Sequence, residues 1–212
     1  MTKNQPAATY IQQFWNEFEQ WILSQEDGED VLELLLPGAS QSELNQAEHA
    51  LEFALPVDFR EFYSRHNGAH FWPDEEELLT LENALSETMM RRSAVAKQAD
   101  LQAGETDLDE NGVFQTWWHK RWLLFIRDGG GNGVAIQCGA PESSGQVIYV
   151  DHETGQPSSE SSLSNYLEGI VALIRQDWYV VKDGTVMSRE LLDEDDEDYA
   201  EDLDSWLEMR ST

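Results

Sequence analysis

The sequence predicts an α+β fold, in which a single domain has an antiparallel or mixed central sheet flanked by helices. The predicted order is helices first, then three strand candidates, then another helix. The first strand candidate, Arg121 to Ile126, is apolar on both alternating faces, as expected of a central strand that is covered on both sides. Glycine-rich turns (RDGGGNG and GAPESSG) connect the three candidates and favour short connections between neighbouring strands.

An amphipathic helix is predicted near the start, where apolar residues recur at three- and four-residue spacing. These residues are Tyr10, Ile11, Phe14, Trp15, Phe18, Trp21 and Ile22. We divide the chain into this N-terminal helix (residues 1–30), a central domain (31–177) and an acidic C-terminal extension (178–212). We expect the central domain, from Val31 to Asp177, to fold as a unit.

Local signals predict further helices. Ser40 and Glu43 have the spacing of a capping box, so a helix should begin after Ser40. Pro56 suits the first turn of the next helix, and Asn67-Gly68 is a candidate left-handed stop for it. Longer helices are predicted over residues 83–99 and 162–175, with a loop over 104–116.

Acidic residues dominate the charge. The chain has 13 Lys and Arg against 42 Asp and Glu, a net charge of −29, and residues 190–208 hold 11 of the acids. The other 193 residues still carry a net charge of −18, so the acidity is not confined to the extension. Such a field opposes binding to nucleic acid or anionic lipid and predicts a basic protein partner. The alternative is that the charge serves solubility alone.

The sequence shows no secretory signal or membrane span, so we expect a cytoplasmic protein. The single cysteine, Cys138, has no partner for an internal disulfide and is interpreted as an unreactive buried thiol.

Two stretches, a pair of predicted helices over residues 36–71 and a Trp-rich strand with a glycine hairpin over residues 117–155, resemble the SUKH superfamily. This superfamily includes fungal cell-wall synthesis regulators and bacterial toxin-immunity proteins. Residues 36–71 (LPGASQSELNQAEHALEFALPVDFREFYSRHNGAHF) resemble the paired helices of that family with their Leu-Pro joint and Asn-Gly stop. Residues 117–155 (WWHKRWLLFIRDGGGNGVAIQCGAPESSGQVIYVDHETG) resemble its Trp-rich strand, glycine hairpin and following strand. The two stretches occur in the family's order.

The resemblance implies a SUKH-like domain that binds protein and has no enzymatic activity. Combined with the charge, it favours an immunity protein that neutralises a cognate toxin, which we expect to be a basic nuclease. A regulatory scaffold is the alternative function, and a carbohydrate-active enzyme is a distant third. No cofactor, metal or nucleic acid is expected to bind, and the oligomeric state is left open.

Three motifs admit a ligand-binding interpretation. Residues 129–133 (GGGNG) could cradle phosphate, but a strand rather than a helix should follow, which favours a hairpin turn. Residues 107–112 (DLDENG) open like a calcium loop, but Trp118 replaces the glutamate at the twelfth position, which favours an acidic turn. His66 and His70 have metal-ligand spacing for a helix, but Asn67-Gly68 should break that helix.

The partner-binding residues are predicted at Trp72, Asp74, Glu75, Glu76 and Glu77. In this hypothesis Trp72 anchors the interface while the carboxylates steer a basic partner. The alternative is a solvated loop without a binding role.

Overall fold

The computed structural model describes residues 7–97, 118–139, 145–152, 157–159 and 162–189. Within these ranges the α-helices are α1 (Ala7–Leu23), α2 (Gly28–Leu32), α3 (Gln41–Leu51), α4 (Val57–Arg65), α5 (Leu81–Lys97) and α6 (Leu163–Arg175). The strands are β1 (Leu35–Pro37), β2 (His66–Trp72), β3 (Glu76–Leu78), β4 (Trp122–Arg127), β5 (Gly133–Gln137), β6 (Val147–Val150), β7 (Ser158–Ser159), β8 (Tyr179–Lys182) and β9 (Thr185–Ser188).

Strands β1 to β7 form one antiparallel sheet whose spatial order follows the order of the sequence. The central strand, β4, lies between β3 and β5. Its Leu123 pairs with Ile136 of β5, and its Ile126 pairs with Leu78 of β3. Residues Trp122 to Ile126 are all buried, which confirms that helices cover both faces of this strand or nearly so. The predicted α+β fold is therefore confirmed.

Aromatic side chains join the helices to the sheet. The ring of Phe125 on β4 lies 5.4 Å from that of Phe59 and 6.4 Å from that of Phe62, both on α4. It also lies 6.3 Å from the ring of Tyr166 on α6. Helix α5 packs against β4, where the Thr88 hydroxyl accepts a hydrogen bond of 3.0 Å from the Leu124 backbone.

Helix α1 contributes its aromatic stripe to this same core. Phe14, Trp15 and Phe18 are each at most 1% exposed, and the indole of Trp15 donates a 3.1 Å hydrogen bond to the Phe62 carbonyl. At the helix surface, Glu19 accepts two hydrogen bonds from Arg65. Helix α1 therefore shares its core with the central domain, and the division of the chain into three parts stays a prediction.

The predicted capping box is present at the start of α3. The Glu43 backbone donates to the Ser40 hydroxyl at 3.2 Å, and the Ser40 backbone donates to the Glu43 carboxylate at 2.7 Å. The predicted stop at Asn67-Gly68 is wrong, because α4 ends at Arg65 and β2 begins at His66. Gly68 instead serves the sheet, since a Cβ there would lie 2.8 Å from the backbone nitrogen of Thr80.

A second sheet, formed by β8 and β9, lies within the predicted C-terminal extension. Asp183 and Gly184 at its turn both have positive φ, as a two-residue type I′ hairpin requires. The hairpin contacts β2 and the 3₁₀ turn at Pro73–Glu75, so it borders the predicted binding residues. The predictions for residues 104–116, for the calcium-like loop at 107–112 and for the acidic run at 190–208 fall outside the described residues.

Candidate protein-binding surface

Four carboxylates gather at one end of the large sheet, where β2 ends, β3 begins and β4 ends. Asp74 and Glu75 lie in the turn between β2 and β3, Glu76 is the first residue of β3, and Asp128 follows β4. The negative charges of Asp74 and Asp128 both act on Glu76, which places the three groups close together. We call these four residues the acidic rim.

The turn that carries Asp74 and Glu75 is held in an uncommon backbone conformation. Their φ angles are 66° and 59°, in the left-handed region that side chains other than glycine rarely adopt. A 2.9 Å hydrogen bond from the Tyr179 hydroxyl on β8 to the Asp74 carboxylate ties this turn to the second sheet. Both acids remain exposed to solvent, so the turn presents their charge outward.

Glu76 has the most perturbed carboxyl group of the rim. Its side chain is half-buried, and burial together with the charges of Asp74 and Asp128 raises its pKa to about 8. Among the described residues, Glu76 has no ion pair or hydrogen bond that would offset this cost. A half-buried carboxyl group surrounded by like charge is the kind of group that a cationic ligand would stabilise.

Glu77 points to the other side of the sheet and is already paired with Arg127. Arg127 donates to its carboxylate at 2.8 Å through Nε and at 2.7 Å through Nη2, and it also pairs with Glu87 at 3.0 Å. A partner would have to displace Arg127 to use Glu77. The alternation of side chains along β3 therefore separates two adjacent glutamates that the sequence treats alike.

Asp128 organises the glycine-rich hairpin from within. Its Oδ1 accepts hydrogen bonds from the backbone amides of Gly130, Gly131 and Asn132, at 2.7, 3.0 and 3.0 Å. A bound phosphate would need these same amide donors, but the carboxylate of Asp128 already accepts their hydrogen bonds. The interpretation of this loop as a hairpin turn is confirmed by the pairing of β4 with β5.

Trp72 requires a correction. It is 0% exposed, its ring packs against Phe14 and Phe18 of α1, and its indole donates a 2.9 Å hydrogen bond to the Tyr166 hydroxyl. The last residue of β2 points inward because the helices close over this face of the sheet. Trp72 is therefore a core residue beneath the rim and not an exposed anchor.

The histidine pair also departs from the geometry of a helical metal site. His66 and His70 both lie on β2, where four residues span about 13 Å. The two ring nitrogens of His66 are hydrogen-bond partners of the Leu36 carbonyl and the Glu19 carboxylate. Within the part of the chain that the structure describes, no group of three or more His, Cys, Asp or Glu side chains is arranged to hold a metal ion.

Sequence reasoning missed Asp128 and Tyr179 as parts of this surface. An Asp followed by glycines and Asn is a known turn-forming pattern, so the hydrogen bonds of Asp128 to the turn amides could have been predicted from the sequence. Tyr179 lies 105 positions from its hydrogen-bond partner Asp74, and no local sequence pattern predicts a contact over that separation.

The buried cysteine behaves as interpreted from the sequence. Cys138 is buried, and burial raises the pKa of its thiol to about 12, so little of the reactive thiolate exists at neutral pH. None of the helices in the described ranges is long and apolar enough to cross a bilayer.

These features define an α+β domain with an anionic surface at one end of its sheet. The sequence profile of the SMI1 / KNR4 family (SUKH-1) matches residues 38–169. The chain belongs to this family, whose members include immunity proteins that bind protein toxins as well as cell-wall regulators. The comparison with curated proteins found no match to this chain.

Proposed function

We propose that this protein is an immunity protein that binds a basic protein toxin through the acidic rim and blocks its action. The observation that carries the proposal is the environment of Glu76, which is half-buried beside Asp74 and Asp128 with no described cation to balance it. A lysine or arginine from a partner would favour ionisation of Glu76 and pair with its carboxylate. Membership of a family that includes toxin-binding proteins supports the same function.

The proposed toxin is a nuclease, because a nuclease must present a basic groove to hold phosphates. An acidic surface is attracted to such a groove and covers it without any chemical step. Steering by charge accelerates association, whereas affinity depends on desolvated contacts within an interface of roughly 800 Å² per partner. With Trp72 buried, the rim itself supplies charge, and the apolar anchors of the interface lie elsewhere.

Coexpression with the protein encoded by the adjacent gene is the first test. Copurification of a single basic protein, together with protection of cells from it, supports an immunity role. Recovery of several unrelated proteins would instead support the regulatory scaffold.

Kinetics against the copurified partner then test the rim. Glu75→Lys should slow association about tenfold at low salt, and less at 0.15 M salt, where the Debye length is about 8 Å. Glu82→Lys is the matched control, since Glu82 is also exposed but lies at the start of α5 beside Asn67, at the end of β2 opposite the rim. Equal effects of both variants would show that only the overall charge matters and would overturn the assignment of the rim.

A further inference from the structure

A small cationic patch stands out in this acidic protein. Most described arginines are paired with carboxylates, namely Arg60, Arg65, Arg127, Arg175 and Arg189. By contrast, Arg92 on α5 and Arg121 before β4 flank the ring of Phe53, with their guanidinium carbons 6.0 and 5.4 Å from its centre. Lys120, beside Arg121, is exposed. We call Arg92, Lys120, Arg121 and Phe53 the cationic patch.

The positive charges of this patch affect the pKa of His119. Burial lowers the pKa of His119 to about 4, and the charges of Arg121, Lys120 and Arg92 act in the same direction. The three cations therefore lie close enough to His119 to disfavour its protonated, positively charged form. None of the three forms a salt bridge with a carboxylate among the described residues.

The guanidinium of Arg92 has two nitrogens whose hydrogen-bonding capacity is unused among the described residues. Its Nη1 donates to the Leu51 carbonyl at 3.3 Å, but its Nε and Nη2 are buried and have no hydrogen-bond partner among the described residues. These two nitrogens form the edge of a guanidinium that holds a carboxylate through two parallel hydrogen bonds. Arg65 and Arg175 use that same edge to hold Glu19 and Glu17.

We infer that the cationic patch docks the acidic C-terminal segment of the same chain, residues 190–212. Charge complementarity is the first argument, because residues 190–208 carry 11 carboxylates and no Lys or Arg. Reach is the second, since 23 residues can extend over about 75 Å, which exceeds the dimensions of the domain.

Tethering is the third argument and favours this occupant over a separate anionic molecule. A free polyanion is repelled by the net charge of −29 before it can reach three cations. A segment joined to the chain has an effective local concentration of about a millimolar, so a weak attraction suffices. Arg121 precedes β4 and Asp128 follows it, so the patch lies about 20 Å from the acidic rim, at the opposite end of that strand.

The test uses the intact chain and a zero-length carbodiimide cross-linker, which joins lysine amines to carboxylates in contact with them. Peptide mass spectrometry should show links from Lys120 to residues 190–208. Lys182 is the internal control, because it lies only eight residues before this segment and would dominate if sequence proximity alone decided the links. Mixing ¹⁵N-labelled and unlabelled chains distinguishes links within one chain from links between two.

Arg121→Gln should reduce the Lys120 links about fivefold, the effect of losing roughly 1 kcal/mol of attraction, and Arg121→Lys should restore most of them. Raising the salt to about 1 M, where the Debye length is about 3 Å, should have the same effect on the wild-type chain. The salt series keeps the inference testable if a variant fails to fold. Links from Lys120 only to other regions, only between chains, or at salt-independent yield would overturn the inference.

Discussion

Replacement of Glu76 by glutamine tests the most unusual electrostatic feature of the acidic rim. Glutamine keeps the shape of the side chain but cannot ionise. The pKa of Glu76 is raised to about 8, so the native state favours the protonated carboxyl, whereas the unfolded chain ionises near 4.5. The stability that this group contributes is full below the unfolded pKa and is lost as the pH rises through 8.

The size of the effect follows from the shift. Each pKa unit corresponds to about 1.4 kcal/mol, so the full shift would cost the wild-type protein about 5 kcal/mol at pH 9. Glu76 is only half-buried, and solvent screening reduces this cost to about 1–3 kcal/mol. About 2.5 of the 3.5 pH units between the two pKa values lie above pH 5.5, so Glu76→Gln should gain about 0.7–2 kcal/mol in free energy of unfolding, relative to wild type, as the pH rises from 5.5 to 9.

Urea denaturation followed by tryptophan fluorescence at several pH values measures this difference. The series should begin at pH 5.5, because the isoelectric point is about 4.2 and solubility is lowest near it. Glu29→Gln, at an exposed position on α2, is the matched control for the loss of one carboxylate. A pH-independent difference for Glu76→Gln, or a loss of stability that grows with pH, would refute the reasoning.

Three further predictions concern the core and its supports. Burial raises the pKa of Glu19, but hydrogen bonds, chiefly from Arg65, outweigh burial and lower the pKa. Glu19→Gln should therefore cost about 1 kcal/mol in free energy of unfolding at pH 7, as measured by thermal melts. Trp72→Phe should cost about 2–3 kcal/mol in urea denaturation, because it leaves a cavity and removes the hydrogen bond to Tyr166, while the partner's dissociation rate should not change. Deletion of residues 1–30 should abolish cooperative unfolding and increase binding of a hydrophobic dye, and a sharp, wild-type-like melt would contradict this.

Features that depend on a few neighbouring residues could be predicted from the sequence. The capping box needs only Ser40 and Glu43. The burial of β4 follows from its apolar run, which is followed by the glycine-rich turn. The hairpin of β8 and β9 was also within reach, because Asp183-Gly184 stands between two apolar stretches. The region was assigned to an acidic extension because of its net charge. The turn-forming pair Asp183-Gly184 is a better predictor of its local structure.

The burial of Trp72 could not be deduced in the same way. A tryptophan before Pro73 and a run of acids has the composition of an exposed loop. Its position is decided by α1, whose Phe14 and Phe18 come from far upstream, and by Tyr166 of α6. Only the tertiary arrangement brings these three segments together, so the sequence pattern around Trp72 carries no record of it.

The rim shows why a count of acidic residues overstates the charge that a partner meets. Of the three consecutive glutamates, Glu75 is exposed, Glu77 is paired with Arg127, and Glu76 has a pKa of about 8 and is therefore mostly protonated at pH 7. Steering at neutral pH thus depends on Asp74, Glu75 and the remaining acidic surface. A bound cation would favour ionisation of Glu76, because it opposes the like charges that raise the pKa. The rim can therefore become more negative when a basic partner arrives, at the cost of one released proton.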